Sequence, residues 1–325
     1  MVKILFPARR FPFRSARGSD PKARQVMGES QRSGLLYALA GFALLSCGDA
    51  VVKSMAGQWA PTAIATLRYV FGAGGLAVML LVREGRAAFA MPVPLAQFGR
   101  GAAVAVASIG FFSAIFVMPL ASATALTFTS PMITALLAAL LLGEPARRET
   151  WIASLIAFVG VLIVLRPNLL SSGLAALFPL LSALGMSLLM IGNRFVAGKA
   201  SGLAMQYYVA AAASPVLLAA TIGLHYSGIE RFAVHMPPVS VIVRCAVVAC
   251  SASCAHWLIY LGTTRAGAAT VAPMTYVQML VAALTGWLFF QSHPDLWTLA
   301  GAAVIIGAGL FLWHAGRVKE PGMTD

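Results

Sequence analysis

Asp49 and Lys53 stand four residues apart in the stretch LLSCGDAVVKSM, residues 44–55, at the end of a long apolar run that opens at Gly34. An ionisable side chain at membrane depth costs about 2.5–3.5 kcal/mol on insertion scales, so it needs a reason. Counted from Gly34 at 1.5 Å per residue, Asp49 lies roughly 22 Å along its helix, in the outer half of a bilayer. It is the one carboxylate placed away from the ends of the apolar segments. Residues i and i+4 share a helix face, and acid before base is the favourable order. Two readings stay open. Either the pair is a local brace that lets both residues insert, or Asp49 accepts a proton or a substrate amine, with Lys53 tuning it. Arg68 lies at a similar depth. It can snorkel to the headgroups, or it can meet Asp49 or a substrate carboxylate, which suits its forked donors. Arg244 is shallower and fits snorkelling. Glu144, followed by Pro145, Arg147 and Arg148, reads as a solvated turn or as a gating ion pair that forms in one state. His256, Tyr276 and Gln278 are the polar groups expected to line a cavity. Tyr69, Tyr207, Tyr208, Trp257 and Tyr260 fit an interfacial belt as well.

The elements that must position these residues follow from composition. Of the 325 residues, 60% are hydrophobic and 10% charged, whereas a soluble domain carries about 25% charged residues. Ten apolar segments of spanning length fall at about 34–56, 61–82, 100–118, 121–142, 150–166, 173–192, 204–224, 239–261, 266–290 and 296–315. Breaks at Ala60-Pro61, Met118-Pro119, Arg166-Pro167 and Met236-Pro237-Pro238 are where helices stop or restart. With both termini cytoplasmic, 18 of the 23 Lys and Arg residues fall on the inner side. Only Arg166 and Arg231 fall outside, and Lys53, Arg68 and Arg244 lie within spans. The positive-inside rule expects that bias, and it accounts for the net charge of +13 without nucleic acid. The fold class is all-α integral membrane, multi-pass in the cytoplasmic membrane.

Ten spans divide into five plus five. Residues 34–167 form the first unit, 168–172 a linker and 173–315 the second. Basic tails at 1–33, expected to be disordered, and at 316–325 flank them. Met27 serves as well as Met1 for the true start. An odd number of spans per unit inverts the second against the first, a recurring design of secondary transporters. Each unit opens with a span ending in base, at Val52-Lys53 and at Asn193-Arg194, and closes with a Trp-led, glycine-containing span. Ser130-Pro131 and Pro273 can loosen helices and free carbonyls, which membranes tolerate beside a cavity. Cys47, Cys245, Cys250 and Cys254 read as small apolar fillers. No P-loop or H-E-x-x-H motif occurs. No metal, cofactor or enzymatic activity is expected, and a homodimer is left open.

The chain resembles the EamA-type transporters of the drug/metabolite transporter superfamily over about residues 34–315. The resemblance rests on DAVVK followed by Arg68, and on ASATALTFTSPMITALLAALLLGEPARRETWIASLIAFVGVLIVLRP, residues 121–167. In the second half it rests on AGAATVAPMTYVQMLVAALTGWLFF, residues 266–290, then HPDLWTLAGAAVIIGAGL. One departure is clear: where the second half usually repeats a Gly-Glu, this chain reads Phe290-Gln291-Ser292-His293. Membership implies a ten-helix inverted-repeat fold of two five-helix halves and movement of small organic molecules. Export of amino-acid-like compounds is the first expectation. Uptake of a nucleoside- or vitamin-like compound, such as S-adenosylmethionine or riboflavin, is the alternative. A lipid-modifying membrane enzyme is the distant one, since it would need clustered catalytic groups at one face.

Overall fold

The computed structural model describes the backbone of residues 21–142, 148–266 and 271–317. The described residues are helical throughout, joined by turns and short 3-10 segments, with no strand among them. The α-helices are α1 (Pro21–Lys53), α2 (Pro61–Glu84), α3 (Pro94–Ile115), α4 (Leu120–Thr127), α5 (Ser130–Leu142) and α6 (Arg148–Ser172). They continue as α7 (Phe178–Val196), α8 (Gly202–His225), α9 (Val239–Ala266), α10 (Val277–Phe290) and α11 (Leu296–Arg317). Seven helical segments are long and apolar enough to cross a membrane, and three shorter apolar helices accompany them: Trp151–Val164, Met274–Phe290 and Leu296–Phe311. Prolines open α2 and α3, because proline lacks only a hydrogen that the first turn cannot use.

Three boundaries differ from expectation. The basic tail expected to run to residue 33 is helical from Pro21, since Lys, Arg, Gln and Glu sustain a helix once a proline has opened it. The span expected at 121–142 is broken between α4 and α5, because the Pro131 ring cannot share space with the carbonyl four residues earlier. The Ser187 hydroxyl reaches from α7 to the Ser130 carbonyl at 2.8 Å and steadies the break. The stop expected at Arg166-Pro167 is passed: α6 continues through the expected linker to Ser172. Gly173, at φ 58°, ends it in the left-handed conformation that favours glycine.

The bundle is held by seams of small residues. Along α1, an added Cβ at Gly41 would stand 2.7 Å from the Ala255 carbonyl of α9, and one at Gly48 would stand 3.3 Å from the Ser251 hydroxyl. Between α3 and α7, Gly110 abuts the Phe178 carbonyl, Gly185 abuts Ala103 and Ala107, and Gly192 abuts Arg100. Gly160 of α6 and Gly301 of α11 each face the other's carbonyl. Lipid gives no hydrophobic drive between helices, so close backbone approach supplies dispersion instead. The other principal pairs are α2 with α8 and α9, α3 with α8, α1 with α10, α7 with α4 and α5, and α4 with α10. The outer surface is apolar: Val82, Leu95, Leu155, Leu174, Leu280 and Phe289 are all exposed. In water such a surface would aggregate; in a bilayer it is the solvated face.

Candidate functional site

Asp49 is placed by α1, one turn before that helix ends. Gly48 beside it lets α9 approach closely. The Asp49 side chain is half-buried, and no hydrogen bond or ion pair engages its carboxylate among the described residues. Arg68 comes from the outer third of α2. Its guanidinium lies over the Tyr69 ring at 4.6 Å and over the Phe112 ring of α3 at 5.3 Å. A guanidinium over an aromatic face is held by the ring quadrupole without using its hydrogen-bond donors. The Arg68 Nε is buried and makes no hydrogen bond. Tyr69 is fixed in turn by Ser108, whose hydroxyl donates to the Tyr69 oxygen at 3.1 Å. Arg68 acts electrostatically on both Asp49 and His256, so α1, α2 and α9 bring these three groups into one neighbourhood within the bundle. His256 keeps a large free surface there.

Lys53 does not complete that group. Its ammonium donates to the carbonyls of Ile115 and Met118, each at 2.8 Å, and lies 5.5 Å from the Phe290 ring centroid. The ion pair with Asp49 expected from the spacing is not formed. The last carbonyls of α3 lack intrahelical partners and carry the negative end of the helix dipole, so a cation nearby settles on them. Lys53 therefore ties α1 to the ends of α3 and α10.

Arg244 does not simply snorkel. It donates to the Ser54 carbonyl at 3.0 Å, to the Ser54 hydroxyl at 3.1 Å and to the Gln58 side chain, clasping the chain just beyond α1. Tyr276 packs edge-on against Phe128 at 5.3 Å, and its hydroxyl rests over Gly309, where a Cβ would come within 1.9 Å. The Gln278 amide donates to Thr275 at 2.9 Å, and its backbone carbonyl accepts from Ser46 at 3.0 Å. Through Ser46, Gln278 touches α1 one turn inward of Asp49. Glu144 lies outside the described residues.

Two parts of this arrangement escaped the sequence reading. Tyr69, Phe112 and Ser108 form the seat of Arg68. Ser108 is a polar residue in mid-span, which is a weak signal, and Phe112 gives none. Arg100, one of the 18 basic residues assigned to the inner side, is the seventh residue of α3 and is buried, bonded to Asn193 at 2.7 Å and to Gln97.

Comparison with known proteins gives this geometry a context. Residues 32–166 match the family described as the EamA-like transporter family. The chain is also similar over most of its length to curated transporters. It is 23% identical to an S-adenosylmethionine uptake transporter of Rickettsia bellii, covering 84% of this chain and 90% of that protein. It is 29% identical to a riboflavin transporter of Rhizobium johnstonii, covering 74% and 77%. A solved structure described only as "Crystal structure of protein" superposes with a TM-score of 0.58 at 19% identity, covering 89% of this chain and 99% of that one, a likeness of fold. The chain is thus a multi-pass inner-membrane protein similar to small-molecule transporters.

Proposed function

We propose that the chain is a secondary transporter of ten membrane-crossing helices, arranged as two inverted five-helix repeats, with both termini cytoplasmic. Its substrate is a zwitterionic metabolite that carries a ring system. The packing supports the inverted repeat. Exchanging α1 with α7, α2 with α8, α3 with α9, the broken α4–α5 segment with α10, and α6 with α11 carries most of the principal pairs onto one another. Glycines follow the same exchange. Gly41 and Gly48 of α1 stand at the places of Gly185 and Gly192 of α7, and Gly262 of α9 at the place of Gly110 of α3. In such folds the substrate site lies between the halves near the midplane.

The observation that carries the proposal is the unused guanidinium of Arg68, seated on Tyr69 and Phe112 beside an unbonded Asp49. Arg68 suits a substrate carboxylate and Asp49 an ammonium, the two ends of an amino-acid moiety. Tyr276, Gln278 and His256 shape the rest of the path, and Lys53 holds the outer end of α1 in register. A charged group left without a fixed partner in the bundle is costly unless a ligand supplies one. The relatives named for S-adenosylmethionine and riboflavin favour uptake of a ring-bearing compound. Export of a plain amino acid is the second reading, favoured by the same Asp49–Arg68 arrangement.

Uptake of labelled S-adenosylmethionine and riboflavin into proteoliposomes tests the proposal, with counterflow from vesicles preloaded with amino acids. Arg68→Gln is expected to lower kcat/KM for the transported compound at least about tenfold, a loss of about 1.4 kcal/mol of recognition. Wild-type flux in that variant removes the site. Amino-acid counterflow without uptake of either ring compound selects export.

A further inference from the structure

An open groove of about 390 Å³ runs between α3 and α7, lined by Gly99, Arg100, Val106, Leu188, Gly192 and Phe195 among others. It lies away from Asp49 and Arg68. Its α7 wall belongs to the exposed apolar side of that helix, with Leu181, Leu184, Leu188 and Phe195 open, so the groove faces lipid. Arg100 forms part of it six residues after Pro94, about 9 Å along the helix from its inner end at 1.5 Å per residue. That is the depth at which headgroups give way to acyl chains. The last turn of α2 carries Arg83, and the segments beyond α2 and α7 carry Arg86 and Lys199.

Arg100 is only 7% exposed. Its protein contacts are all neutral: the Asn193 amide oxygen at 2.7 Å, the Gln97 amide oxygen, and the Met205 sulfur at 3.6 Å. Among the described residues no carboxylate pairs with it. A buried cation bonded only to dipoles keeps its whole charge uncompensated, and that charge draws a counter-anion. On the bilayer side of Arg100 the groove is walled by Ala103, Val106 and Leu188, so a cation opens onto an apolar channel. We infer that the α3–α7 groove binds an anionic phospholipid of the inner leaflet, with the headgroup phosphate at Arg100 and an acyl chain along Val106 and Leu188. Basic pockets between membrane helices on the cytoplasmic side recognise anionic headgroups by this combination of charge and shape. The lipid would link α3 of one half to α7 of the other, and so report on the contact between halves. The inference rests on the membrane placement of the bundle and is independent of which compound is carried.

Native mass spectrometry of the full chain tests it, by titration with phosphatidylglycerol and with phosphatidylcholine. Phosphatidylglycerol is expected to bind at least about tenfold more tightly. Arg100→Gln should erase that preference and leave phosphatidylcholine binding unchanged. Gly99→Phe is the second variant. A Cβ at Gly99 meets nothing within 4 Å, so the ring can fill the groove without moving the backbone or Arg100. It should fold normally and lose bound phosphatidylglycerol. Equal binding of the two lipids by the wild-type chain overturns the inference, as does wild-type phosphatidylglycerol binding by folded Gly99→Phe. If Arg100→Gln does not fold, Gly99→Phe decides alone.

Discussion

At the residue scale, the division of labour between Asp49 and Lys53 is the clearest result. The spacing allows an ion pair, yet Lys53 reaches the Ile115 and Met118 carbonyls at and just past the end of α3, while Asp49 keeps its carboxylate unbonded. The difference is competition. A carboxylate one turn away offers one partner, whereas a helix end offers several unsatisfied carbonyls with their dipoles aligned. Lys53→Met should therefore destabilise the protein by about 1.5–3 kcal/mol, the range for hydrogen bonds to a charged group. Asp49→Asn should leave stability nearly unchanged and impair transport. In thermal unfolding in detergent, the double variant should equal the sum of the singles to within about 0.5 kcal/mol. A restored stability in the double variant would reinstate the ion pair.

At the element scale, the glycines within the helices are of two kinds in effect. Gly41 faces α9 so closely that a methyl group would meet the Ala255 carbonyl at 2.7 Å, and backbone cannot step aside as a flexible side chain can. Gly72 on α2 has nothing within 4 Å. Gly41→Ala should cost about 1–3 kcal/mol through overpacking. Gly72→Ala should be neutral or stabilise by up to about 1 kcal/mol, since alanine loses less backbone freedom in a helix. Paired melting curves of the two variants check this, and equal effects would contradict the seam. Sequence alone treats both as interchangeable small residues, because periodicity shows that a helix is glycine-rich without showing which side its neighbour takes. The split of α4 from α5 is legible at Ser130-Pro131 once the missing proline hydrogen is considered. The continuation of α6 past Pro167 is not, because the stop depends on the backbone angle adopted by Gly173.

At the scale of the whole molecule, the proposed ten-span inverted repeat would put both termini on the basic side. A fluorescent-protein fusion after Arg317 should be bright. An alkaline phosphatase fusion at the same place should be inactive, and one after Gln58 should be active. An active phosphatase at the C-terminus would mean an odd number of crossings. The clasps at the two ends of the bundle suit alternating access. Arg244 holds the outer end of α1, and Arg100 holds Asn193 near the inner end of α7. In the proposed two-half arrangement each joins a helix of one half to a helix of the other, so opening one face would require releasing its clasp.

Hydropathy, segment length and charge bias are one-dimensional properties of the chain, so the class of solvent, the apolar segments and the ionisable residues that needed explaining are legible in the order of residues. Asp49, Arg68 and His256 were visible for that reason, as uncommon polar groups in apolar runs. Their partners come from the packing of the helices. Whether Lys53 meets Asp49 or a helix end, whether Arg68 snorkels or sits on Tyr69 and Phe112, and whether Arg100 is a loop charge or a buried cation all depend on helices far apart in sequence. Those helices approach as closely as their small residues allow, and the rotation of each about its own axis is set by that packing.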